Sequence, residues 1–342
     1  MKALRWYSRK DVRYEDIPEP VPGRGEVKVR VNLSGICGTD LREYATGPCM
    51  IAPDKAPITL GHEFAGIVAA LGVGVTDFKI GDRVTGLGYR ICGECYCCKR
   101  MKYNICYNQG FSGLTADGCM AEYMVAPDYT YFKLPDSVSD ELGSLVEPLS
   151  VAIHAVKQGR VQAGDKVAIV GDGTIGLSIL MAARAAGASE VYLVSKHKQR
   201  AEKALAMGAT AVINSNDATV KELQRLTGGL GADVSFESVG NADTAQLAVS
   251  LARRDGIAVI VGVFEKAGMF HFADVVFGEK TIIGSSIYVR EAEAAIAMLA
   301  DKRIQPQGLI TSVIPLKDAV NSGFEQLLRD KENNLKILLK KP

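Results

Sequence analysis

The 342-residue sequence contains no apolar segment approaching the roughly 20 residues that a membrane-spanning helix requires. Its formal net charge is only +1, which excludes a general electrostatic attraction to nucleic acid or to anionic membranes. The N-terminus lacks the apolar stretch of a secretory signal. We therefore expect a cytoplasmic protein with no nucleic-acid and no membrane partner. In that compartment the eight cysteines are reduced, as metal ligands or buried residues.

What the composition does provide is material for two hydrophobic cores. Apolar residues make up 47% of the chain and charged residues 23%, as in ordinary globular proteins, and the length suffices for two domains. Up to about residue 90, proline and glycine are dense. Residues 26–31 alternate polar and apolar with period two, which predicts a half-buried strand. The first part of the chain therefore reads as a mainly antiparallel β domain.

A glycine-rich stretch predicts a dinucleotide site in the second half. Residues 167–170 are all apolar, as in a strand buried on both faces, and the pattern G-x-G-x-x-G follows. The first glycine permits a tight turn, the second leaves room for a phosphate, and the third lets the next helix lie close to the strand. The helix N-terminus attracts the pyrophosphate. The predicted cofactor-binding residues of this turn are Gly171, Gly173, Thr174, Ile175 and Gly176.

Strand and helix patterns alternate after this turn. We predict strands at residues 191–194, 211–213, 234–237 and 257–261, and helices at 177–186, 199–207, 218–226 and 242–252. This alternation predicts a doubly wound parallel sheet. Beyond it we predict a return to the first domain near residue 285, a helix at 291–299 and a closing helix from Leu316.

Four cysteines form the strongest local motif. Cys92, Cys95, Cys98 and Cys106 have the spacing C-x2-C-x2-C-x7-C, the density that a tetrahedral zinc held by four thiolates needs. Such a shell leaves no open position, so the predicted role is structural. Cys97 adjoins Cys98, and the x2 spacing favours Cys98. A redox-active loop is the weaker interpretation in a reduced compartment. We predict no metal role for the remaining Cys49 and Cys119.

A second group of potential ligands is spread along the sequence. Cys37, His62 and Glu63 are a thiolate, an imidazole and a carboxylate, a mixture that suits zinc. Each has an ordinary interpretation when taken alone, as a buried or a solvated residue. Glu147 is a further candidate because it lies within an apolar segment, and a buried carboxylate needs a partner or a metal.

Together these motifs resemble the zinc-containing medium-chain dehydrogenases/reductases, the alcohol and polyol dehydrogenase family. The resemblance covers essentially the whole chain, and within the family it is strongest to 2,3-butanediol, sorbitol and threonine dehydrogenases. The motifs that carry it are Gly35-Ile-Cys-Gly-Thr-Asp40, Gly61-His-Glu63, Gly81-Asp-Arg-Val84, the four-cysteine lobe, Glu147-Pro-Leu-Ser-Val-Ala-Ile-His154 and the glycine pattern.

The resemblance implies an α/β fold of two domains with the active site in the cleft between them. The first is a GroES-like catalytic domain, mainly antiparallel β, formed by residues 1–150 and 286–342 with a structural zinc lobe at 90–108. The second is a Rossmann domain with a doubly wound parallel sheet, formed by residues 151–285. Homo-oligomers, dimers or homotetramers, are usual in this family.

The resemblance also implies two zinc ions per chain and a set of catalytic residues. A catalytic zinc is expected on Cys37 and His62, with Glu63 and Glu147 sharing the remaining acid role; which is the resting ligand stays open. The zinc draws electrons from the substrate oxygen, and hydride passes to a nicotinamide. Thr39 is expected to carry the departing proton through its hydroxyl.

Arg42 departs from the family pattern, because many relatives have a proton-relaying histidine at this position. A guanidinium stays protonated and cannot relay a proton. Arg42 therefore either contacts an anionic group or is a solvated surface residue. Together with Tyr44 and Phe111 it is a candidate for lining the substrate pocket.

The end of the second Rossmann strand bears on the choice of cofactor. NAD sites have an acidic residue there to accept the ribose 2′-hydroxyl. In this chain the family's acidic position is Ser195, and Lys196, Lys198 and Arg200 follow. A serine does not repel a 2′-phosphate, and cations bind one, so we predict NADP, with NAD less favoured. The alternative is that these cations are simply an exposed helix start.

The leading hypothesis is therefore a zinc-dependent oxidoreductase that transfers a hydride between a secondary alcohol, diol or polyol, such as 2,3-butanediol or a sugar alcohol, and NADP. A threonine-type amino alcohol dehydrogenase using NAD is one alternative. A zinc-free enoyl or quinone reductase on the same fold is another. That chemistry needs no Lewis acid, so the potential zinc ligands Cys37, His62, Glu63 and Glu147 argue against it. The third is a non-catalytic dinucleotide-binding protein.

Overall fold

The computed structural model describes residues 1–342 and divides the chain into two compact units. The first unit is formed by Met1–Glu147, Ala292–Asp301 and Ile310–Pro342, and the second unit by Pro148–Glu291 and Lys302–Leu309. We expected the second domain to begin near residue 150 and to end near residue 285, whereas the main segment of the second unit is Pro148–Glu291. The return of Lys302–Leu309 to the second unit was not expected. None of the helices combines the length and the apolar character that a membrane crossing requires.

The chain contains eighteen strands and ten α-helices. The strands β1 to β18 are Lys2–Ser8, Asp11–Asp16, Glu26–Gly35, Ile58–Thr59, Glu63–Leu71, Arg83–Gly86, Tyr89–Arg90, Gly110–Phe111, Tyr123–Pro127, Tyr131–Lys133, Lys166–Val170, Glu190–Ser195, Ala211–Asn214, Ala232–Glu237, Ala252–Ile260, Thr281–Gly284, Ile310–Pro315 and Lys336–Lys340. The helices α1 to α10 are Gly38–Thr46, Asp140–Gly143, Val146–Gln158, Thr174–Ala185, Lys198–Ala206, Thr219–Leu226, Ala242–Leu251, Ala273–Gly278, Glu291–Ala300 and Glu325–Arg329.

A seven-stranded sheet organises the first unit. Its order is β10-β6-β5-β3-β18-β17, and β9 also pairs with β3. Strand β3 runs antiparallel to β5, β9 and β18. Its valines Val27, Val29 and Val31 are buried while Arg30 is exposed, the alternation that the sequence predicts for a half-buried strand. The mainly antiparallel β architecture of this unit is confirmed.

The C-terminal part of the chain differs from the prediction of a closing helix from Leu316. A short 3₁₀ turn and a π-helix at Ala319–Phe324 lead into α10, and the chain then forms strand β18 between β3 and β17. Ile337, Leu338 and Leu339 are fully buried there. An apolar run this short does not distinguish a strand from a buried helix segment. Its antiparallel partner, β3, lies about 300 residues away in the chain.

The second unit contains a six-stranded parallel sheet in the order β13-β12-β11-β14-β15-β16. The doubly wound parallel sheet expected from the sequence is therefore confirmed. The strand order reverses between β11 and β14, and in such sheets ligands bind at the carboxyl ends of the strands at this point. The glycine turn lies there, because it follows the last residue of β11, Val170.

Lys341 is a buried amine directly after β18. Its Nζ donates a hydrogen bond to Ser34 Oγ at 2.5 Å, and the residue is only 7% exposed. Burial lowers the pKa of this lysine from 10.5 to about 7. The unfolded chain therefore takes up a proton near pH 10.5, whereas the folded chain takes it up only near pH 7. Stability accordingly falls as the pH decreases from about 10.5 to about 7 and levels off below that.

We expect Lys341→Met to raise the free energy of unfolding at pH 7 by about 2 kcal/mol, because the apolar side chain carries no penalty for a buried ammonium. The variant should also flatten the dependence of stability on pH between neutral and alkaline conditions. Urea unfolding at neutral pH and at about pH 9.5 measures both effects. Lys340→Met, at an exposed neighbouring position, is the control. Equal pH dependence in the wild type and Lys341→Met would contradict this account.

Candidate functional site

The pairing of β3 with β5 brings three potential metal ligands together in the first unit. Gly35 pairs with Glu63 across the two strands, so Cys37, two residues after β3, lies beside His62 and Glu63. The thiol sulphur, an imidazole nitrogen and a carboxylate oxygen of these residues all lie within 4.8 Å of one another. His62 and Glu63 are buried and Cys37 is half-buried. Cys37 and His62 are 25 positions apart in the sequence, and the pairing of β3 with β5 brings them close together.

Negative charge is concentrated around His62. Burial disfavours the charged imidazolium, but the charges of Cys37, Asp40 and Glu147 outweigh burial and raise the pKa of His62 well above its ordinary value. His62 Nδ1 is buried and has no hydrogen-bond partner. A thiol sulphur, an imidazole nitrogen and a carboxylate oxygen within 4.8 Å of one another form a donor set that suits a divalent zinc. The residues therefore fit the metal that the sequence predicts.

Asp40 supports this cluster from the first turn of α1. Its side chain is fully buried, and burial raises its pKa. Its Oδ2 accepts a hydrogen bond from the backbone N–H of Cys37 at 2.9 Å. This bond fixes the backbone that carries the thiol. Thr39 lies half-buried in the same turn.

Lys336 forms a buried ion pair with Glu63. Its Nζ donates to both carboxylate oxygens, at 2.7 and 2.6 Å, and to the carbonyl oxygen of Ile36 at 2.9 Å. Burial alone would lower the pKa of Lys336, but the charges of Glu63 and Cys37 outweigh it and raise the pKa. The Glu63 carboxylate is therefore oriented by a cation from β18 while it lies next to Cys37 and His62.

Glu147 lies in the first turn of α3 and is 4% exposed. It is not part of the group within 4.8 Å, although its charge raises the pKa of both His62 and Lys336.

Two of the residues predicted to line the substrate pocket lie in different surroundings. The ring of Phe111 lies edge-on to His62 at 5.0 Å between centroids, whereas Tyr44 is buried in the apolar core with its hydroxyl donating to Glu325.

The four-cysteine lobe forms a second compact group. The sulphur atoms of Cys92, Cys95, Cys98 and Cys106 lie within 4.8 Å of one another, with Cys106 at 3.5 Å from Cys92. The structure places Cys98 in this group and Cys97 outside it. Backbone N–H groups of Cys98 and Tyr107 lower the pKa of Cys95 to about 6, while burial raises that of Cys98 to about 12. Four thiols this close, none in a disulfide, fit a tetrahedral metal.

The choice between the adjacent cysteines gives a direct test of this lobe. We expect Cys98→Ser to remove one zinc per chain and to lower the midpoint of thermal unfolding by roughly 5–10 °C, because a structural zinc contributes folding free energy. Cys97→Ser should retain the metal. Elemental analysis and thermal unfolding of the two variants measure these effects. Metal loss in Cys97→Ser but not in Cys98→Ser would reverse the assignment.

The glycine turn of the second unit has the shape of a phosphate cradle. A Cβ at Gly171, where φ is +121°, would lie 2.4 Å from Ser238 Oγ, and one at Gly176 would lie 2.0 Å from the carbonyl oxygen of Gly171. A Cβ at Gly173 would meet no atom within 4 Å. The first and third glycines are therefore required by packing, and the second faces open space at the start of α4. This arrangement fits a dinucleotide pyrophosphate.

The residue between the first two glycines, Asp172, makes a polar network with the end of β12. Its carboxylate accepts hydrogen bonds from Ser195 Oγ at 2.6 Å and from the backbone N–H of Lys196 at 3.2 Å. It also pairs with His197 Nδ1 at 2.8 Å and with Arg200 Nη1 at 3.2 Å. The structure therefore brings Ser195 and Arg200, both predicted cofactor residues, to one acid, while the side chains of Lys196 and Lys198 are exposed.

Sequence reasoning missed the roles of Asp40, Lys336 and Asp172. Asp172 had a visible signal, since it is the one charged residue inside the glycine pattern. Asp40 also lies inside a motif that we identified, three residues after Cys37. Lys336 had no signal, because its partner Glu63 lies 273 positions away.

Two family models match this chain, one in the first half and one in the second. Residues 23–136 match the family model described as an alcohol dehydrogenase GroES-like domain, and residues 174–301 match that of a zinc-binding dehydrogenase. The chain is 38% identical to (R,R)-butanediol dehydrogenase of Bacillus subtilis strain 168, with 99% of both chains covered. It is 33% identical to the sorbitol dehydrogenase of the same strain, with 99% of this chain and 97% of the relative covered.

Solved structures give the same result for the fold. The crystal structure of 2R,3R-butanediol dehydrogenase from Bacillus subtilis matches with a TM-score of 0.92 at 37% identity, covering 99% of both chains. A putative zinc-binding dehydrogenase from Sinorhizobium meliloti 1021, crystallised bound to NADP, matches with a TM-score of 0.88 at 31% identity. That match covers 99% of this chain and 98% of the other.

Proposed function

The chain belongs to the zinc-dependent alcohol dehydrogenase family of medium-chain dehydrogenases/reductases, and from this membership we propose that it transfers a hydride between a secondary alcohol, diol or polyol and NADP. One observation carries the proposal. A thiol sulphur, an imidazole nitrogen and a carboxylate oxygen converge within 4.8 Å of one another in the first unit, and two of the three residues are buried. Such a donor set favours zinc-dependent chemistry over a zinc-free reductase.

The residues divide into those that would hold a metal and those that support them. Cys37 and His62, with an acid from Glu63 or Glu147, would hold the catalytic zinc, and the four-cysteine lobe a structural one. When bound, the catalytic ion supplies a Lewis acid for the substrate oxygen. Asp40 fixes the backbone of Cys37, and Lys336 orients Glu63.

Proton movement is assigned to the hydroxyl of Thr39, two residues beyond Cys37. Its position in the first turn of α1, half-buried, leaves the hydroxyl on the same turn as the thiol. Arg42, one helical turn later, cannot extend the relay because its guanidinium stays protonated. The proton therefore passes from the Thr39 hydroxyl to solvent by a route that does not include Arg42.

Cofactor binding is assigned to the glycine turn and the end of β12. The N-terminus of α4 and the open space at Gly173 would hold the pyrophosphate. Ser195 stands where an NAD site has an acid, and Lys196 and Lys198 are exposed beside it. A nicotinamide cofactor bound there would supply the acceptor or donor of the hydride. Solved neighbours were crystallised with either cofactor, one with NADP and another with NADH, so the proposal of NADP rests on Ser195 and the two lysines.

The substrate class follows from the relatives. Those described above are named for butanediol and sorbitol, so diols and sugar alcohols are favoured over an amino alcohol such as threonine, the NAD-dependent alternative. The test is a panel of 2,3-butanediol stereoisomers, sorbitol, xylitol, threonine and 2-propanol, each assayed with NADP and with NAD. We expect the highest kcat/KM with a diol or polyol and NADP. A tenfold or larger preference for NAD, or for threonine, would overturn the corresponding part of the proposal.

A cytoplasmic homo-oligomer, a dimer or a homotetramer, completes the proposal. Strand β16 lies at an open edge of the parallel sheet, and Phe272, Val276 and Phe277 before it are all at least 66% exposed. An open edge beside exposed apolar side chains is suited to pairing with a second copy. Light scattering should give at least twice the 36.6 kDa of one chain. A monomer at micromolar concentration would contradict this part.

A further inference from the structure

The Asp172 carboxylate occupies a position that the sequence assigns to no function. It projects from the glycine turn to the end of β12, where it lies 2.6 Å from Ser195 Oγ. Under the proposed function, Ser195 is the residue beside the adenosine ribose, because it stands at the family's acidic position. The chain therefore lacks an acid at the end of β12, at Ser195, but supplies one to the same place from the turn before α4.

This carboxylate is ionised and engaged with the neighbouring cations. Burial alone would raise the pKa of Asp172, but hydrogen bonds from Ser195 and His197 and the charges of His197 and Arg200 outweigh it and lower the pKa. The residue is 7% exposed, and water screens its charge poorly. His197 and Arg200, which could otherwise bind a phosphate at this point, are thus already paired with the Asp172 carboxylate.

We propose that Asp172 is a specificity-determining residue that weakens the binding of a 2′-phosphate and so keeps the preference for NADP over NAD small. Two effects act in this direction. The carboxylate repels a phosphate placed beside Ser195, and it holds Arg200 and His197 in pairs that a phosphate must break or share. The exposed Lys196 and Lys198 have no such restraint and supply the remaining attraction.

The test uses two ligands that differ only in the 2′-phosphate, adenosine 5′-monophosphate and adenosine 2′,5′-bisphosphate. Their dissociation constants are measured by titration calorimetry on the full chain, without substrate or turnover. In Asp172→Asn, which keeps the shape of the side chain, we expect the ratio of the two constants to shift toward the bisphosphate by about tenfold or more. NADH and NADPH fluorescence titrations should give the same shift.

Asp172→Ser is a second uncharged variant that keeps a polar group next to Ser195. Agreement between the two variants would show that the shift comes from the loss of charge and not from the asparagine side chain. Asp233→Asn is the matched control. Asp233 is likewise bonded to an arginine, Arg253, and to a backbone N–H, that of Lys166, but it lies at the opposite ends of the strands from the glycine turn. Its variant removes the same charge and should leave the ratio within about twofold of wild type.

The outcomes separate this inference from the proposed function. If both Asp172 variants leave the ratio unchanged, or shift it toward the monophosphate, the inference is overturned and Asp172 serves to position the cations. If the wild type binds the monophosphate more tightly but both variants shift toward the bisphosphate, the inference holds and the NADP preference fails. A shift of similar size in Asp233→Asn would show a long-range charge effect and would also overturn the assignment.

Discussion

Cys37→Ser is expected to lower kcat/KM for alcohol oxidation by at least about 10³-fold, because it removes the thiolate from the group that would hold the catalytic zinc. The serine hydroxyl is a poor zinc ligand at neutral pH, so we expect metal analysis to show one zinc per chain instead of two. The secondary structure should be unchanged, since Cys37 is half-buried and lies outside the apolar core clusters.

The matched control is Cys49→Ser, which removes an exposed thiol three residues after the end of α1, where its sulphur contacts Thr46 and no member of the cluster. It should retain both metals and full activity. If Cys37→Ser also kept two zincs and wild-type kcat/KM, Cys37 would have no part in a catalytic site. A loss of both zincs would show instead that the two groups do not bind metal independently.

Lys336→Met is expected to lower the free energy of unfolding by about 3–5 kcal/mol, since it leaves the Glu63 carboxylate buried without its cation. For a chain of this size that corresponds to a decrease of roughly 10 °C in the thermal midpoint. The double variant Glu63→Gln/Lys336→Met removes both charges and should recover more than half of the loss.

Thermal and urea unfolding measure this coupling in Lys336→Met, in Glu63→Gln and in the double variant, with Lys340→Met as the control at an exposed lysine. Zinc content should be followed in parallel, because Lys336→Met leaves both Glu63 oxygens unbonded next to Cys37 and His62. If Lys336→Met unfolds with the same free energy as wild type, the ion pair does not stabilise the fold. If the double variant is no more stable than the single one, an uncompensated charge is not the cause.

The sequence predicted the parts of this protein that depend on local spacing. The glycine pattern predicted the turn and α4, the alternation of strands and helices predicted the parallel sheet, and the cysteine spacing identified the four sulphur atoms that lie together. Each of these signals is contained in about 15 consecutive residues or in a regular repeat of such segments. The metal roles themselves stay predictions.

What the sequence could not supply depends on which strands pair. Strand β18 is assigned only by its neighbours β3 and β17, so Lys336 could not be placed beside Glu63 in advance. Asp172 reaches Ser195 because β11 and β12 are adjacent in register, with Val170 opposite Val194. In both cases the decisive contact joins residues that no local pattern relates.

The placement of β18 also has a consequence for biosynthesis. The central strand β3 emerges from the ribosome about 300 residues before the strand that completes its hydrogen bonding. The second unit is nearly continuous in the chain and can fold before the first unit has received its last two strands, β17 and β18. Nascent chains halted before residue 336 should therefore lack the partner of residues 33–35, the end of β3 that β9 does not cover, and expose a short unpaired edge to chaperones or to aggregation.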